Sequence, residues 1–179
     1  KIKTFIHPKN LGYGGNQKTC YREALKLGAD IVVMVHPDYQ YDPKLIPLLI
    51  EPIKKGFFDI MLGSRIRTRR EALEGGMPLY KYISNRFLTI LENLALGLNL
   101  SEYHTGYRAF HRKVLEKVNF KSFSNDFIFD QEIIVSAHKK GFTIGEIAVP
   151  VKYFPEASSI NFFRSTKYGL EVLKLLFTS

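Results

Sequence analysis

Ile31-Val32-Val33-Met34-Val35-His36-Pro37-Asp38-Tyr39-Gln40-Tyr41-Asp42-Pro43 joins an apolar run directly to a polar cluster. The five apolar residues, three of them valine, are too few for a helix and read as a buried strand. The strand stops at Pro37. His36, Asp38 and Gln40 alternate, so an extended backbone projects all three to one side. Imidazole, carboxylate and amide oxygen together can hold a divalent cation. In open α/β sheets, ligands gather at the carboxyl ends of strands, where this cluster falls. The same residues also fit a plain polar turn, with Asp42-Pro43 starting the next helix.

Working outward, strand and helix signals alternate at a pace that predicts a mostly parallel sheet flanked by helices. Upstream, Lys1-Ile2-Lys3-Thr4-Phe5-Ile6 reads as a strand. Asn10-Leu11-Gly12-Tyr13-Gly14-Gly15-Asn16 reads as a glycine loop opening a helix that ends at Gly28. The Gly14 and Gly15 amides can hold an anion there, or the glycines can serve a tight turn. Downstream, a helix with Leu45, Ile46, Leu49, Ile50 and Ile53 on its buried face is shortened by Pro52. The next strand is Phe57 to Gly63, followed by Arg65, Arg67, Arg69 and Arg70. That cluster is either a diphosphate clamp with a mobile lid or a solvated loop.

A long helix is predicted from Leu79 to Leu96, with Ile83, Phe87, Ile90, Leu91 and Leu94 as its apolar stripe. Tyr107 to His111 alternates as a strand, and Gly106 leaves room for a ligand to approach the backbone. His104 reads as a structural histidine. Ser124-Asn125-Asp126 is placed as the cap of a helix carrying Asp130 and Glu132 in its first turns. Thr143 to Val151 is the last strand. Ser158-Ser159 is placed as the cap of a terminal amphipathic helix with Leu170, Leu173 and Phe177 on one side.

Composition narrows the class. The 179 residues suffice for one domain, with 45% apolar and 24% charged side chains. No apolar run is long enough to span a bilayer. The lone Cys20 fits a reducing, cytoplasmic compartment. A net charge of +9 suits a polyanionic partner: nucleic acid, an anionic membrane face or phosphorylated small molecules. Nucleic acid is the weakest of these, because the aromatics fall at core spacing and no RNA-binding pattern is present.

Several motifs then fall in one order along the chain. The Asn10-to-Asn16 stretch resembles the N-x-G-x-G/A-x-A/N loop of family 2 glycosyltransferases. His36-Pro37-Asp38-Tyr39-Gln40-Tyr41-Asp42-Pro43 resembles their D-x-D-x-Q-x-x-P stretch, with His36 at the first aspartate. Gly63-Ser64-Arg65, Thr105-Gly106-Tyr107-Arg108-Ala109-Phe110 and the Gly141-to-Val149 strand look like the polyprenyl-phosphate sugar synthase branch, of the dolichol-phosphate mannose synthase type. The family's opening segment, which holds the nucleotide base and ribose, has no counterpart here.

The resemblance implies a GT-A fold lacking its first strands, a single domain truncated at its start. It implies an inverting transfer from a nucleotide-diphosphate sugar to a polyprenyl phosphate or a glycan hydroxyl, as in cell-envelope polysaccharide synthesis. Mg²⁺ or Mn²⁺ would sit on the diphosphate. Asp38 and Gln40 carry over as metal ligands with His36 beside them, Arg65 and Arg108 as phosphate contacts, and Asp130 as the base. The same likeness, with the charge, implies a site at the inner face of the plasma membrane. The missing strands imply an unpaired strand edge and self-association. A homologue that binds a phosphorylated ligand without turnover is the alternative.

Overall fold

The computed structural model describes residues 2–66, 68–150 and 162–178. The quoted apolar run forms strand β1 (Ile31–Met34). The next two strands are β2 (Ile60–Ser64) and β3 (Arg108–His111), and the last is β4 (Ile144–Ala148). They form one sheet in the order β1-β3-β2-β4. β2 and β4 are parallel, while β3 runs antiparallel to both β1 and β2. Three strands therefore share a direction, as expected, and β3 opposes them.

The reversal of β3 follows from the chain's path. After β2 the chain forms α3 (Arg69–Glu74) and α4 (Leu79–Leu96). It then returns to the end of β2 that it had just left, where the Ser101 and Ser64 hydroxyls are 2.6 Å apart. A strand entered at that end has to run downward.

Side-chain alternation divides the core. Val32, Met34, Ile60, Leu62 and Phe110 face one side, with Tyr21 from α1 (Gly12–Lys26) and Val114 from α5 (Arg112–Lys117). Phe129, Ile133 and Ile134 from α6 (Phe129–Lys139) complete that layer. Val33, Met61 and Ala109 face the other side, against Leu49 and Ile53 of α2 (Ile46–Lys54). Asp42 starts the α2 segment as read: its carboxylate accepts from the Lys44 amide at 2.9 Å, capping a short 3₁₀ turn. The terminal helix α7 (Phe162–Thr178) packs on α4 through Val172 and Leu88.

Five expectations are corrected. Residues 2–6 are irregular and largely exposed, so the Lys1-to-Ile6 strand is not formed over them. Gly14 and Gly15 lie inside α1, not in a loop before it. The arginine cluster is partly helical: Thr68 caps α3, and exposed Arg70 pairs with Glu74 at 2.7 Å. α6 begins at Phe129, because Ser124 and Asp126 spend their side chains on a preceding turn. The apolar stripe of α4 faces outward, while Asn85, Leu88, Thr89 and Glu92 are buried. Arg67, Val151 and Ser158-Ser159 lie outside the described residues.

Candidate active site

The carboxyl ends of β1 and β2 and the approach to β3 open on one cleft. His36, Gln40 and Tyr41 reach it from beyond β1, and Arg65 from beyond β2. His104, Thr105, Gly106 and Arg108 lead into β3; Tyr13 comes from α1, Asp130 from α6 and Tyr168 from α7. The α4 edge contributes Lys81, Ser84 and Asn85.

The cluster after β1 is not an extended strand. Asp38 Oδ1 accepts from the Gln40 amide at 3.2 Å, and Tyr39 takes a left-handed φ of 59°. This tight turn buries Gln40 and leaves Asp38 Oδ2 and Gln40 Nε2 without a hydrogen-bond partner. Asp38 is not among the residues lining the cleft, but its charge acts on the His36 ring. Burial lowers the His36 pKa, and the pull of Asp130 and Asp38 offsets this only in part. The ring is therefore neutral near pH 7. Its Nε2 lies 3.2 Å from the Tyr13 hydroxyl. The ring also covers Gly106: a Cβ there would lie 2.6 Å from His36 Cε1. The space left by Gly106 thus holds His36, where a ligand approach was expected.

Asp130 is buried beside the same ring. Tyr13 donates to its Oδ2 at 2.7 Å, and its Oδ1 is buried without a partner. Burial, then the neighbouring Asp130 charge, pushes the Tyr13 hydroxyl far above its ordinary pKa, so Tyr13 remains a donor. Arg108 is fully buried. Its Nε, Nη1 and Nη2 donate to the carbonyls of Thr105, Asp130 and Tyr103 at 2.6, 3.0 and 2.8 Å. Its expected phosphate role is therefore corrected: it braces the loop before β3 against α6.

Arg65 is held by a partner the sequence reading passed over. Its amide donates to Glu102 Oε2 at 2.6 Å and its Nε to Glu102 Oε1 at 2.8 Å. Asn85 donates to the same carboxylate at 2.8 Å. Burial alone would raise the Glu102 pKa; the Arg65 charge and these hydrogen bonds outweigh it and hold the carboxyl below its usual range. Arg65 thus faces the cleft from a fixed mount.

His104 is structural, as read. Its Nε2 lies 3.0 Å from buried Glu92, and its Nδ1 lies 2.8 Å from the Tyr168 hydroxyl. The Gly14 amide donates to Asn125 O at 2.8 Å, so it is not available to an anion. A Cβ on Gly14 would lie 2.5 Å from Ser124 O, and one on Gly15 would lie 2.7 Å from Leu11 Cβ. Both glycines are packing contacts, away from the cleft.

Tyr13, Glu102 and Tyr41 were missed as site residues. Tyr13 had a signal, as the one aromatic inside the glycine-rich stretch. Glu102 had none, since its partner is 37 residues away. Among the described residues, no group of three or more His, Cys, Asp or Glu side chains is gathered as a metal cage. The unpartnered Asp38 oxygen and the neutral His36 ring are nevertheless donor types that suit a divalent cation.

Comparisons with known proteins bear on the family and the fold. The UDP-N-acetylglucosamine–dolichyl-phosphate N-acetylglucosaminyltransferase of Methanococcus voltae is 30% identical over 153 residues, covering 86% of this chain and 60% of that protein. A low-salt glycan biosynthesis hexosyltransferase of Haloferax volcanii is 30% identical over 157 residues, covering 87% of this chain and 36% of that protein. The chain thus spans between about a third and three fifths of these relatives' lengths. Among solved structures, glucosyl-3-phosphoglycerate synthase from Mycobacterium tuberculosis aligns with a TM-score of 0.67 at 17% identity, over 96% of this chain and 56% of that one. That structure was solved with Mn²⁺, UDP-glucose and phosphoglyceric acid. Its likeness supports the fold, over just above half of that chain. Residues 1–118 match the model of glycosyl transferase family 2, and the chain belongs to that family.

Proposed function

We propose that this chain is the metal, diphosphate and acceptor half of a glycosyltransferase that moves a sugar from a nucleotide-diphosphate donor to a polyprenyl phosphate. One observation carries the reading: two buried carboxylate oxygens, Asp38 Oδ2 in the turn after β1 and Asp130 Oδ1 in the cleft, have no hydrogen-bond partner. Buried acceptors are rarely left unmatched unless a ligand completes them.

The residues divide the work. Asp38, with His36 and Gln40, would hold Mg²⁺ or Mn²⁺. Such a cation neutralises the diphosphate leaving group. Arg65, fixed by Glu102, is aimed at phosphate oxygens from the other side, where preorganised charge lowers the barrier. Tyr13 takes Oδ2 of Asp130 and Arg108 its backbone carbonyl, so the buried Oδ1 is the carboxylate atom left without a partner to take an acceptor proton. A phosphate acceptor ionises without help, and Asp130 then orients it; a hydroxyl acceptor needs the full transfer. The dolichyl-phosphate transferase among the relatives favours the lipid phosphate. Attack from the face opposite the diphosphate gives inversion.

A second reading, binding without turnover, draws on His36, which stands where the family motif has aspartate. The test is a panel of nucleotide sugars offered to the intact protein with Mn²⁺ or Mg²⁺, with polyprenyl phosphate or a glycan as acceptor. Metal-dependent product on polyprenyl phosphate supports the proposal. Tight donor binding with no product on any acceptor supports the second reading.

A further inference from the structure

Two hydrogen bonds meet at the Tyr13 hydroxyl. It lies 2.7 Å from Asp130 Oδ2 and 3.2 Å from His36 Nε2. A phenol carries one hydrogen and can donate once. The Asp130 carboxylate has no hydrogen to give and a charge that attracts one, so it takes that bond. The Met34 sulfur, 3.8 Å from the same oxygen, is a weaker acceptor. The Tyr13 oxygen is then an acceptor toward His36, and His36 Nε2 must supply the hydrogen. The His36 ring is neutral near pH 7 and holds one hydrogen. With that hydrogen on Nε2, Nδ1 keeps its lone pair. Among the described residues, Nδ1 has no hydrogen-bond partner.

Packing holds the three groups in place. The Tyr13 ring lies against Phe127, with centroids 4.9 Å apart, and meets the His36 ring edge-on at 5.7 Å. A Cβ on Gly106 would lie 2.6, 3.0 and 3.1 Å from His36 Cε1, Nε2 and Nδ1, so the imidazole rests on a bare Cα. Tyr41 meets the same ring edge-on at 6.4 Å. Turning the imidazole over about its Cβ–Cγ bond would set carbon opposite the Tyr13 hydroxyl and lose the hydrogen bond.

We propose that Tyr13 is a positioning residue: it fixes His36 as the Nε2–H tautomer and so leaves Nδ1 as the nitrogen that ligates a divalent cation. Histidine ligands commonly spend their second nitrogen on a carboxylate or a carbonyl. Here the carboxylate is Asp130, reached through Tyr13, so the candidate base and the candidate cation site share one hydrogen-bond chain. A cation on Nδ1 draws electron density from the ring. That makes Nε2–H a stronger donor and polarises Tyr13 toward Asp130. The tautomer stands on the hydrogen bonds alone; the cation's part rests on the metal site proposed for Asp38, His36 and Gln40.

Nitrogen NMR of the isotope-labelled chain reads the tautomer with no metal present, since ring nitrogens with and without hydrogen resonate far apart. His36 is assigned among the five histidines by its loss in His36→Gln. The expected spectrum near neutral pH has hydrogen on His36 Nε2 and none on Nδ1. Tyr13→Phe keeps the ring contacts and removes only the hydroxyl, so it should turn the single tautomer into a mixture. Mn²⁺ alone is then titrated in. His36 should broaden before His7, His104, His111 and His138, and Tyr13→Phe should need about tenfold more Mn²⁺ for the same broadening. Hydrogen on Nδ1 in the parent overturns the proposal, whether or not the variant folds. So does a tautomer or a Mn²⁺ response that is unchanged in Tyr13→Phe. Broadening at Asp38 with none at His36 overturns the proposal and leaves the metal site standing. Broadening at neither overturns both, and the metal-free spectrum still decides the tautomer.

Discussion

At the scale of single residues, the cleft depends on how few side chains are free to move. Asp130→Asn keeps the Tyr13 contact and removes the proton acceptor. With a hydroxyl acceptor, turnover should fall about a hundredfold or more while donor binding holds. With a phosphate acceptor the loss should be small, so steady-state rates on the two acceptors separate the roles. Glu102 makes a pH prediction. Its folded pKa lies below the ordinary value of 4.5, so its stabilisation is present above about that pH and lost as pH falls through the folded value. Urea midpoints taken from neutral to acid pH should therefore fall more steeply in the parent than in Glu102→Gln. Equal slopes would mean that the Arg65 pair adds no net stability. Glu102→Ala at neutral pH should cost about 3–5 kcal/mol, because it removes the carboxylate partner of a largely buried guanidinium.

These residues also show what was legible at this scale. His36, Gln40, Arg65 and Asp130 meet in one cleft because each lies at a strand or helix end, a position that periodicity reveals. Arg108 was misread because an arginine two residues after a glycine looks the same whether it points to a ligand or into the core. What decides it is three backbone carbonyls at right reach, and carbonyl positions leave no trace in residue type. Glu102 was invisible for a related reason: pairing across the fold has no local spacing.

At the scale of elements, α1 and α4 each depart from a local rule. Helix propensity says that replacing a mid-helix glycine by alanine should stabilise by roughly 1 kcal/mol. Gly14→Ala should instead destabilise by roughly 1–3 kcal/mol, because its Cβ would meet the Ser124 carbonyl oxygen at 2.5 Å and Phe129 Cβ at 2.9 Å. Denaturant unfolding decides the sign, and a gain in stability would show that the α1–α6 contact yields easily. α4 was predicted over its observed limits, yet with the wrong face inward. Amphipathic period locates a stripe but not the side on which the core lies. Here the core side must meet the Arg65–Glu102 pair and His104, so Asn85 and Glu92 turn in and the apolar stripe turns out.

At the scale of the molecule, the alternation of apolar runs located the four strands of the sheet and a fifth, over residues 1–6, that does not form over the described residues 2–6; three of the four share one direction. The antiparallel insertion of β3 did not follow, since it depends on where the chain re-enters the sheet after α4. On its free side β1 has no ladder partner among the described residues. Because the chain spans only 36–60% of the relatives it matches, we predict weaker nucleotide-sugar binding by these 179 residues than by a protein of the relatives' full length, which parallel calorimetry on the two would show. Equal affinity would place the whole donor site within these residues.

The central claim is that the turn after β1 holds the metal-bound diphosphate while the rest of the cleft presents the acceptor. The most direct test is the rate of sugar transfer by the intact protein against Mn²⁺ concentration, in the parent and in Asp38→Ala. The account predicts transfer that saturates with metal in the parent and is lost across the whole titration in Asp38→Ala, since the neutral His36 and Gln40 cannot replace the carboxylate charge. Transfer in Asp38→Ala at the parental rate and with the parental metal dependence would contradict it.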